Sequence, residues 1–454
     1  MTGARSRFVR AAVVAAALAL SLVPSPARAS NPRPNVLIVL SDDQSWSTFS
    51  RALMPQTFSN LVDQGTLYRR AYVNTPLCCP SRAQLLTGLQ SHHNGVIYNS
   101  SQLRRPTIVP ALHDAGYRTM LAGKYLNSWP CDPRPEFDRW VCAASGQSTY
   151  SLIDPTLNVD GTWATFDGYQ PDVLALLTAQ FIASTPADQP FFALYTPTTP
   201  HLPADDPRYS SLPVAPYRPP SYGVSEPGKP AYMQRGPFTT NQQLGIDGRY
   251  ARMSRAVRSL DDSVGLLLSS LGSRASNTLV VYLSDNGYLF GEHARWDKLV
   301  PYEESVRVPM VVRYPPAGTG PRVSDALVSN VDIAPTIAKL AGVPWTTDGS
   351  SLLPTLDGVG STRRYLLIES CFGSITWCPG TGTFESQRNV PGYYGIVAPR
   401  FVFIRYGTGE RELYDLGQDP YERNNLAGLS EWSEAQHNLA LKLISLVSAP
   451  PHDA

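Results

Sequence analysis

Two segments of the chain end alike, LSDD at Leu40–Asp43 and LSDN at Leu283–Asn286. Asp42, Asp43, Asp285 and Asn286 offer only oxygen, the donor set of a hard cation such as calcium or magnesium. Asp and Asn also punctuate strand ends as turn formers, but two matched pairs favour a metal site. Zinc is disfavoured, because cysteine and histidine ligands are missing from both segments. A third segment, TPLCCPSRAQLLTG (Thr75–Gly88), sets Cys78 and Cys79 directly before Pro80, Ser81 and Arg82. Pro80 suits a first helical turn. A helix N-terminus with the Arg82 guanidinium beside it attracts a small anion. Cys78, just ahead of the helix, stands where an attacking group belongs, although by itself it fits a buried structural thiol equally well.

The elements that must position these groups are visible as patterns. NVLIVL (Asn35–Leu40) and TLVVYL (Thr278–Leu283) are continuous apolar runs, as expected of strands buried on both faces of a parallel sheet. YRTMLAG (Tyr117–Gly123) and PFFALYT (Pro190–Thr196) add two more strands, each after a helix-like stretch. SRAQLLTGLQ, PDVLALLTAQFIAS and RYARMSRAVRSLDDSVGLLLSSL give the clearest helices. The alternation predicts an α/β domain with a mostly parallel central sheet flanked by helices. Ligands bind such sheets at the carboxyl ends of the strands, where both LSD segments fall. Residues 201–240, crowded with proline and tyrosine, show neither period and are expected to wall the active site. Beyond Pro344 the pattern stops, and GYYGIVAPRFVFIRYGTGERELYDL predicts a small antiparallel C-terminal piece.

Composition bounds the rest. MTGARSRFVR is basic, Ala11–Val23 is a short apolar run and Ala27-Arg28-Ala29 fits a cleavage site, so residues 1–29 are expected to be a signal peptide and the mature protein secreted. The 13 residues of that run fall short of the roughly 20 a spanning helix needs, so no stable membrane anchor is expected. With 38 Lys and Arg against 37 Asp and Glu, the chain has no broad basic face for nucleic acid. Of six cysteines, Cys131 with Cys142 and Cys371 with Cys378 can each close a short loop in an oxidising compartment. That leaves Cys78 and Cys79, which as neighbours are too close for ordinary disulfide geometry.

CCPSRAQLLTG resembles the signature of the formylglycine-dependent (type I) sulfatases, in which a cysteine two residues before Pro-Ser-Arg is oxidised to formylglycine. Pro80 and Arg82 set the frame, so Cys78 is the matching cysteine and Cys79 falls on the variable position. NVLIVLSDDQ, LSDNGYLFGEHARWDKLVPYEESVRVPMVVRYP, NVDIAPTIAKLAGV and ELYDLGQDPYERNNLA are similar to further landmarks of the family, in order. The resemblance implies an alkaline-phosphatase-like α/β sandwich, with a catalytic domain over 30–345 and a C-terminal antiparallel subdomain over 346–454. It implies a cation, usually calcium, held by Asp42, Asp43, Asp285 and Asn286 with modified Cys78 facing it. It further implies sulfate-binding and leaving-group roles for Arg82, Lys124, His201 and Lys298, and a formylglycine-generating enzyme as maturation partner.

The implied reaction is attack of hydrated formylglycine on sulfur, departure of the alcohol, and expulsion of sulfate by the second hydroxyl. One departure stands out: many sulfatases carry a histidine two residues after the lysine matched by Lys124, and here that position is Leu126. His293 and water are candidates to replace it. GKYLN with CCPSR resembles the branch of N-acetylglucosamine-6-sulfatases and extracellular endosulfatases, which favours a sulfated sugar over an aryl sulfate. His92 and His93, after the signature helix, are placed either to reach substrate or to cap and face solvent. The competing expectations are a phosphomonoester or phosphonate hydrolase on the same fold, and a non-catalytic calcium-dependent glycan binder.

Overall fold

In the computed structural model the strand Asn35–Ser41 lies in the middle of a ten-stranded mixed sheet, between Phe191–Thr196 and Thr278–Ser284 and parallel to both. The structure describes residues 33–143, 152–358, 360–361, 363–370 and 390–454. Arg118–Gly123 and Arg139–Ala143 continue the parallel part, and antiparallel Thr156–Val159 and Thr162–Thr165 close that edge. On the other side Met310–Arg313 runs antiparallel to Thr278–Ser284 and pairs with Thr66–Tyr68, and Arg322–Ser324 forms the outer edge. The four strands expected from the apolar runs are all in the sheet, and the other six, of three to five residues each, are too brief to stand out as runs.

Alternation along one strand shows why that sheet is buried on both faces. Val36, Ile38 and Leu40 point into a core with Ala83, Leu86, Ile108, Leu112 and Ile337. Leu37 and Val39 point the other way, against Leu174, Phe181, Val257, Leu260 and Val264. The first face is covered by the helices Cys78–Thr87, Ile108–Asp114 and Ile333–Ala341, the second by Gln170–Ser184 and Thr240–Ser270. The last of these starts nine residues before the RYARMS pattern, because Thr239 and Gln242 form a reciprocal capping box. Truncating any one of the buried leucines to alanine is expected to cost about 2–5 kcal/mol.

The C-terminal piece is an antiparallel sheet of Leu366–Ser370, Tyr393–Val397, Phe401–Tyr406 and Arg411–Asp415. One face carries Ile368, Tyr393, Val402 and Ile404 against Leu77, Leu299, Tyr302 and Val306 of the larger part. The opposite face, with Leu367, Tyr394, Ile396 and Phe403, is covered by the helix Ser433–Ser448 through Leu439 and Leu443. Residues Pro34–Ala454 form one compact unit. Cys131 and Cys142 are joined in a disulfide. Cys371 and Cys378 lie outside the described residues, as does the segment expected to be the signal peptide. Among the described residues no helix is long and apolar enough to cross a membrane.

Candidate active site

Parallel pairing sets the two acidic strand ends side by side. Ser41 is in register with Ser284, so Asp42 and Asp285 leave the sheet at the same height. The Asp43 N–H donates to Asp285 Oδ1 at 3.1 Å, and Asn286 Nδ2 donates to Asp43 Oδ1 at 2.7 Å. Asp43 turns there with φ 65°, a left-handed conformation that aspartate tolerates better than bulky residues. All four side chains are buried.

The signature helix points its N-terminus at this pair. It begins at Cys78 itself, one turn position earlier than the sequence suggested, and ends at Gly88, whose φ of 70° needs no Cβ. Pro80 falls within the first turn, where its missing N–H costs no intrahelical bond. Every residue of the helix is buried. Asn330, from the NVDIAP segment, locks it in place: its Nδ2 donates to Ser81 O, Ser81 Oγ and Gln84 Oε1 at 3.0–3.1 Å. Cys79 faces away from the acids, with its N–H donating to Asn99 Oδ1 at 3.0 Å and its sulfur 3.9 Å from Ser128 Oγ.

Three cations complete the site. Arg82 Nε donates to Asp285 Oδ2 at 2.8 Å and Nη1 to the Lys124 carbonyl at 2.7 Å. Lys124 Nζ donates to Asp42 Oδ2 at 2.6 Å. Lys124 follows Gly123, where φ is 120° and a Cβ would lie 2.1 Å from the Thr196 carbonyl, so only glycine lets the lysine backbone reach this sheet neighbour. Lys298 Nζ contacts Asp43 Oδ1 closely and lies 2.9 Å from Cys78 Sγ. It is delivered by a tight segment in which Asp297 and Leu299, on either side, both have positive φ. Cys78 Sγ sits 3.6 Å from Asp42 Oδ1 and 3.9 Å from Asp43 Oδ1.

The electrostatics follow from burial and these contacts. Burial pushes the Asp42 and Asp43 carboxyls up, but Lys124 and Arg82 on the first, and Lys298 and His201 on the second, outweigh it and hold both below the usual range. Burial pushes the Cys78 thiol up to about 12, despite Lys124 and Lys298, so the unmodified side chain is a neutral thiol at ordinary pH. Three carboxylates thus face three fixed cations. Added divalent charge would leave a positive excess for an anion to offset.

The residues present fit a cation. Asp42, Cys78 and Asp285 bring ligand atoms within 4.8 Å of one another. Asn286 Oδ1, a buried acceptor, has no hydrogen-bond partner among the described residues. Arg82 Nη2, a buried donor, likewise has none, and lies 3.7 Å from Asp42 Oδ2. One orphaned acceptor and one orphaned donor in the same pocket suit a cation and an anionic oxygen respectively.

His201 lies at the mouth, 26 % exposed, with Nε2 3.7 Å from Asp43 Oδ2 and Nδ1 2.7 Å from the Leu202 carbonyl. It opens the proline-rich segment, which does border the site there and holds only single-turn helices at Pro207–Tyr209 and Ala231–Met233. Leu126 is buried among apolar side chains. His293 does not take over the position it leaves: its ring faces Glu226 and Glu304 in a separate cluster. His92 and His93 are pinned by Glu369 Oε2 at 2.8 Å and Asp348 Oδ2 at 2.9 Å, so both serve a structural contact with carboxylates.

The sulfatase family model matches residues 34–343, and that of the N-sulphoglucosamine sulphohydrolase C-terminal region matches 291–449. The chain is 26 % identical to an N-acetylglucosamine-6-O-sulfatase of Bacteroides thetaiotaomicron, over 93 % of this chain and 88 % of that one. It is 30 % identical to the human N-acetylglucosamine-6-sulfatase, over 74 % of this chain and 67 % of that one. A protein solved in complex with its substrate D-glucosamine-2-N,6-O-disulfate superposes with a TM-score of 0.80 at 26 % identity, covering 91 % of this chain and 97 % of that one. The phosphonate monoester hydrolase of Agrobacterium radiobacter shares the fold, with a TM-score of 0.71 at 23 % identity over 91 % of this chain and 95 % of that one. With the matched region spanning both acidic strand ends, Cys78, Lys124, His201 and Lys298, the chain belongs to the sulfatase family and is a sulfuric ester hydrolase.

Proposed function

We propose that this enzyme removes sulfate from a sulfated amino sugar, using Cys78 after its oxidation to formylglycine by a formylglycine-generating enzyme. The observation that carries the proposal is the convergence on Cys78 Sγ of Lys298 Nζ, Asp42 and Asp43 at the start of a buried helix. The sulfur marks where the oxygens of a hydrated aldehyde would stand. Asp42, Asp43, Asp285 and Asn286 would hold a divalent cation, with calcium favoured by the all-oxygen set. When bound it supplies positive charge beside the nucleophile and the sulfate oxygens.

The chain's own residues then account for each step. Arg82, Lys124 and Lys298 hold the sulfate oxygens and offset charge as it redistributes in the transition state. One hydroxyl of the hydrate gives its proton to a neighbouring carboxylate and attacks sulfur, while the S–O bond to the sugar breaks. His201 protonates the departing oxygen. The now neutral imidazole takes the proton of the second hydroxyl, the bond from carbon to the sulfated oxygen breaks, and sulfate leaves with the aldehyde restored. This return of one proton to His201 supplies what the family's additional histidine would do at position 126, where leucine cannot titrate. The carboxylate releases its proton to solvent as sulfate departs, and water then hydrates the aldehyde again.

The amino-sugar substrate rests on the N-acetylglucosamine-6-sulfatase relatives and on the glucosamine disulfate bound by the structural neighbour. Secretion rests on the basic and apolar leader of residues 1–29. We assign catalysis to residues 30–345 and support of the site to 346–454. The test is hydrolysis of 6-O-sulfated N-acetylglucosamine alongside a matched pair of aryl sulfate and aryl phosphate by one preparation. Release of sulfate from the sugar with little phosphatase activity is expected. A preference for the phosphate ester would replace this reading by the phosphohydrolase one. Cys78→Ala is expected to lower turnover by about 10⁴-fold or more, since it removes the attacking group outright.

A further inference from the structure

A second group of metal-ligating side chains, two of them buried and Glu304 partly so, lies outside the cluster around Cys78. Ligand atoms of His293, Glu304 and Glu422 are within 4.8 Å of one another. His293 is fully buried and Glu422 is 1 % exposed. The imidazole is set between two carboxylates, with Nδ1 3.4 Å from Glu226 Oε2 and Nε2 3.6 Å from Glu304 Oε2. Glu226 is itself fixed by Arg423, whose Nε donates to its Oε1 at 3.1 Å. Glu422 Oε2 accepts the Glu303 N–H at 2.8 Å. Its Oε1, together with His293 Nε2 and Glu304 Oε2, has no hydrogen-bond partner among the described residues.

The charges around the group do not balance it. Arg307 lies 3.4 Å from Glu303, Arg423 pairs with Glu226, and Lys229 lies 3.8 Å from Glu412. Lys229 also donates to the Glu422 carbonyl at 2.7 Å and to Tyr414 OH at 3.0 Å. Among the described residues, neither the Glu304 nor the Glu422 carboxylate pairs with a lysine or arginine. Holding the buried Glu422 carboxylate beside the partly buried one of Glu304 in this state is costly, and a divalent cation between them offsets the cost. The histidine is prepared for such a role: a proton shared from Nδ1 toward Glu226 leaves the Nε2 lone pair directed away, the carboxylate–histidine–metal arrangement.

We propose that His293, Glu304 and Glu422 bind a divalent cation of the zinc or manganese class at a site distinct from the one beside Cys78. One nitrogen and two carboxylate donors suit these ions and are a poor set for calcium, which takes oxygen ligands. The cation ties together three stretches of chain. His293 and Glu304 bracket Lys298 in sequence, and Glu422 belongs to the turn after the Arg411–Asp415 strand. The site therefore clamps the segment carrying Lys298 to the C-terminal sheet and is structural.

The test is metal analysis of full-length protein exposed to zinc and manganese and then dialysed, in an Asp42→Asn/Asp285→Asn background that removes ligands beside Cys78. About one equivalent of zinc or manganese per chain is expected to remain. Adding Glu422→Gln is expected to lower its affinity by about 10- to 100-fold or more, with circular dichroism and gel-filtration profile preserved. Unchanged affinity in that variant overturns the proposal, as does absence of bound metal in the background. Should the variant not fold, anomalous diffraction from zinc-soaked wild-type crystals decides the matter. A peak between His293, Glu304 and Glu422 supports the site, and absence of a peak there overturns it.

Discussion

Two buried charge clusters, built from many of the same residue types, differ in how they are balanced. Around Cys78, three carboxylates meet three fixed cations, Arg82, Lys124 and Lys298, and His201 stands at an opening. Around His293, the carboxylates of Glu304 and Glu422 have no lysine or arginine partner among the described residues, and the histidine is fully buried. The first cluster, once it holds a divalent ion, has positive charge to spare for a substrate anion. The second is satisfied by a cation alone and has no use for an anion. On the roles proposed above, opposite balance within one fold separates a site that turns over substrate from one that holds the chain together.

Lys298→Ala removes the cation closest to Cys78 Sγ, so kcat for sulfate ester hydrolysis is expected to fall by about 10²–10³-fold, the usual cost of deleting one transition-state charge partner. A loss below tenfold would place sulfate binding on Arg82 and Lys124 alone. Glu422→Gln attacks the other cluster. Wild-type protein at a hundredfold excess of zinc over its Kd is expected to gain about 2.7 kcal/mol of stability, read as a rise in Tm, and the variant to lose that gain. An equal rise in both would show that the stabilising ion binds elsewhere.

A smaller effect concerns His92, which belongs to neither cluster and serves as a control. Burial pulls its pKa down, but the Glu369 carboxylate at 2.8 Å outweighs this and holds it above the ordinary histidine value. A raised value means that the contribution is complete below the unfolded pKa of about 6.5 and is lost as pH rises through the folded one. The stability difference between wild type and His92→Gln is therefore expected to be about 1–3 kcal/mol near pH 6 and to shrink toward pH 9. A difference that grows with pH would contradict the ion pair.

The sequence carried the first cluster much more fully than the second, for a physical reason. Asp42, Asp43, Asp285 and Asn286 each follow an apolar run, so strand, strand end and donor set are read in one place. Cys78 and Arg82 share one helix with a recognisable start. Glu226, His293, Glu304 and Glu422 are spread over a proline-rich segment, a tight loop and a turn, and only tertiary packing gathers them. Three of them did lie in quoted stretches: GEHARWDKLVPYEES carries His293 and Glu304, and DPYERNN carries Glu422. No spacing rule links these. The C-terminal helix Ser433–Ser448 was also missed, because only Leu439 and Leu443 are buried and its apolar positions are otherwise mostly exposed. The strand Leu366–Ser370 is short, and its partner Tyr393–Val397 lies well beyond hairpin reach in sequence, which left the pairing hard to anticipate.

On the mechanism proposed above, Cys78, and not Cys79, becomes the aldehyde that attacks sulfur. Mass spectrometry of the peptide spanning Thr75–Gly88, from active protein produced with its maturation enzyme, tests this directly. Conversion of Cys78 to formylglycine, with Cys79 left as a thiol, is the predicted result. Fully active protein whose Cys78 is entirely unmodified thiol would contradict it.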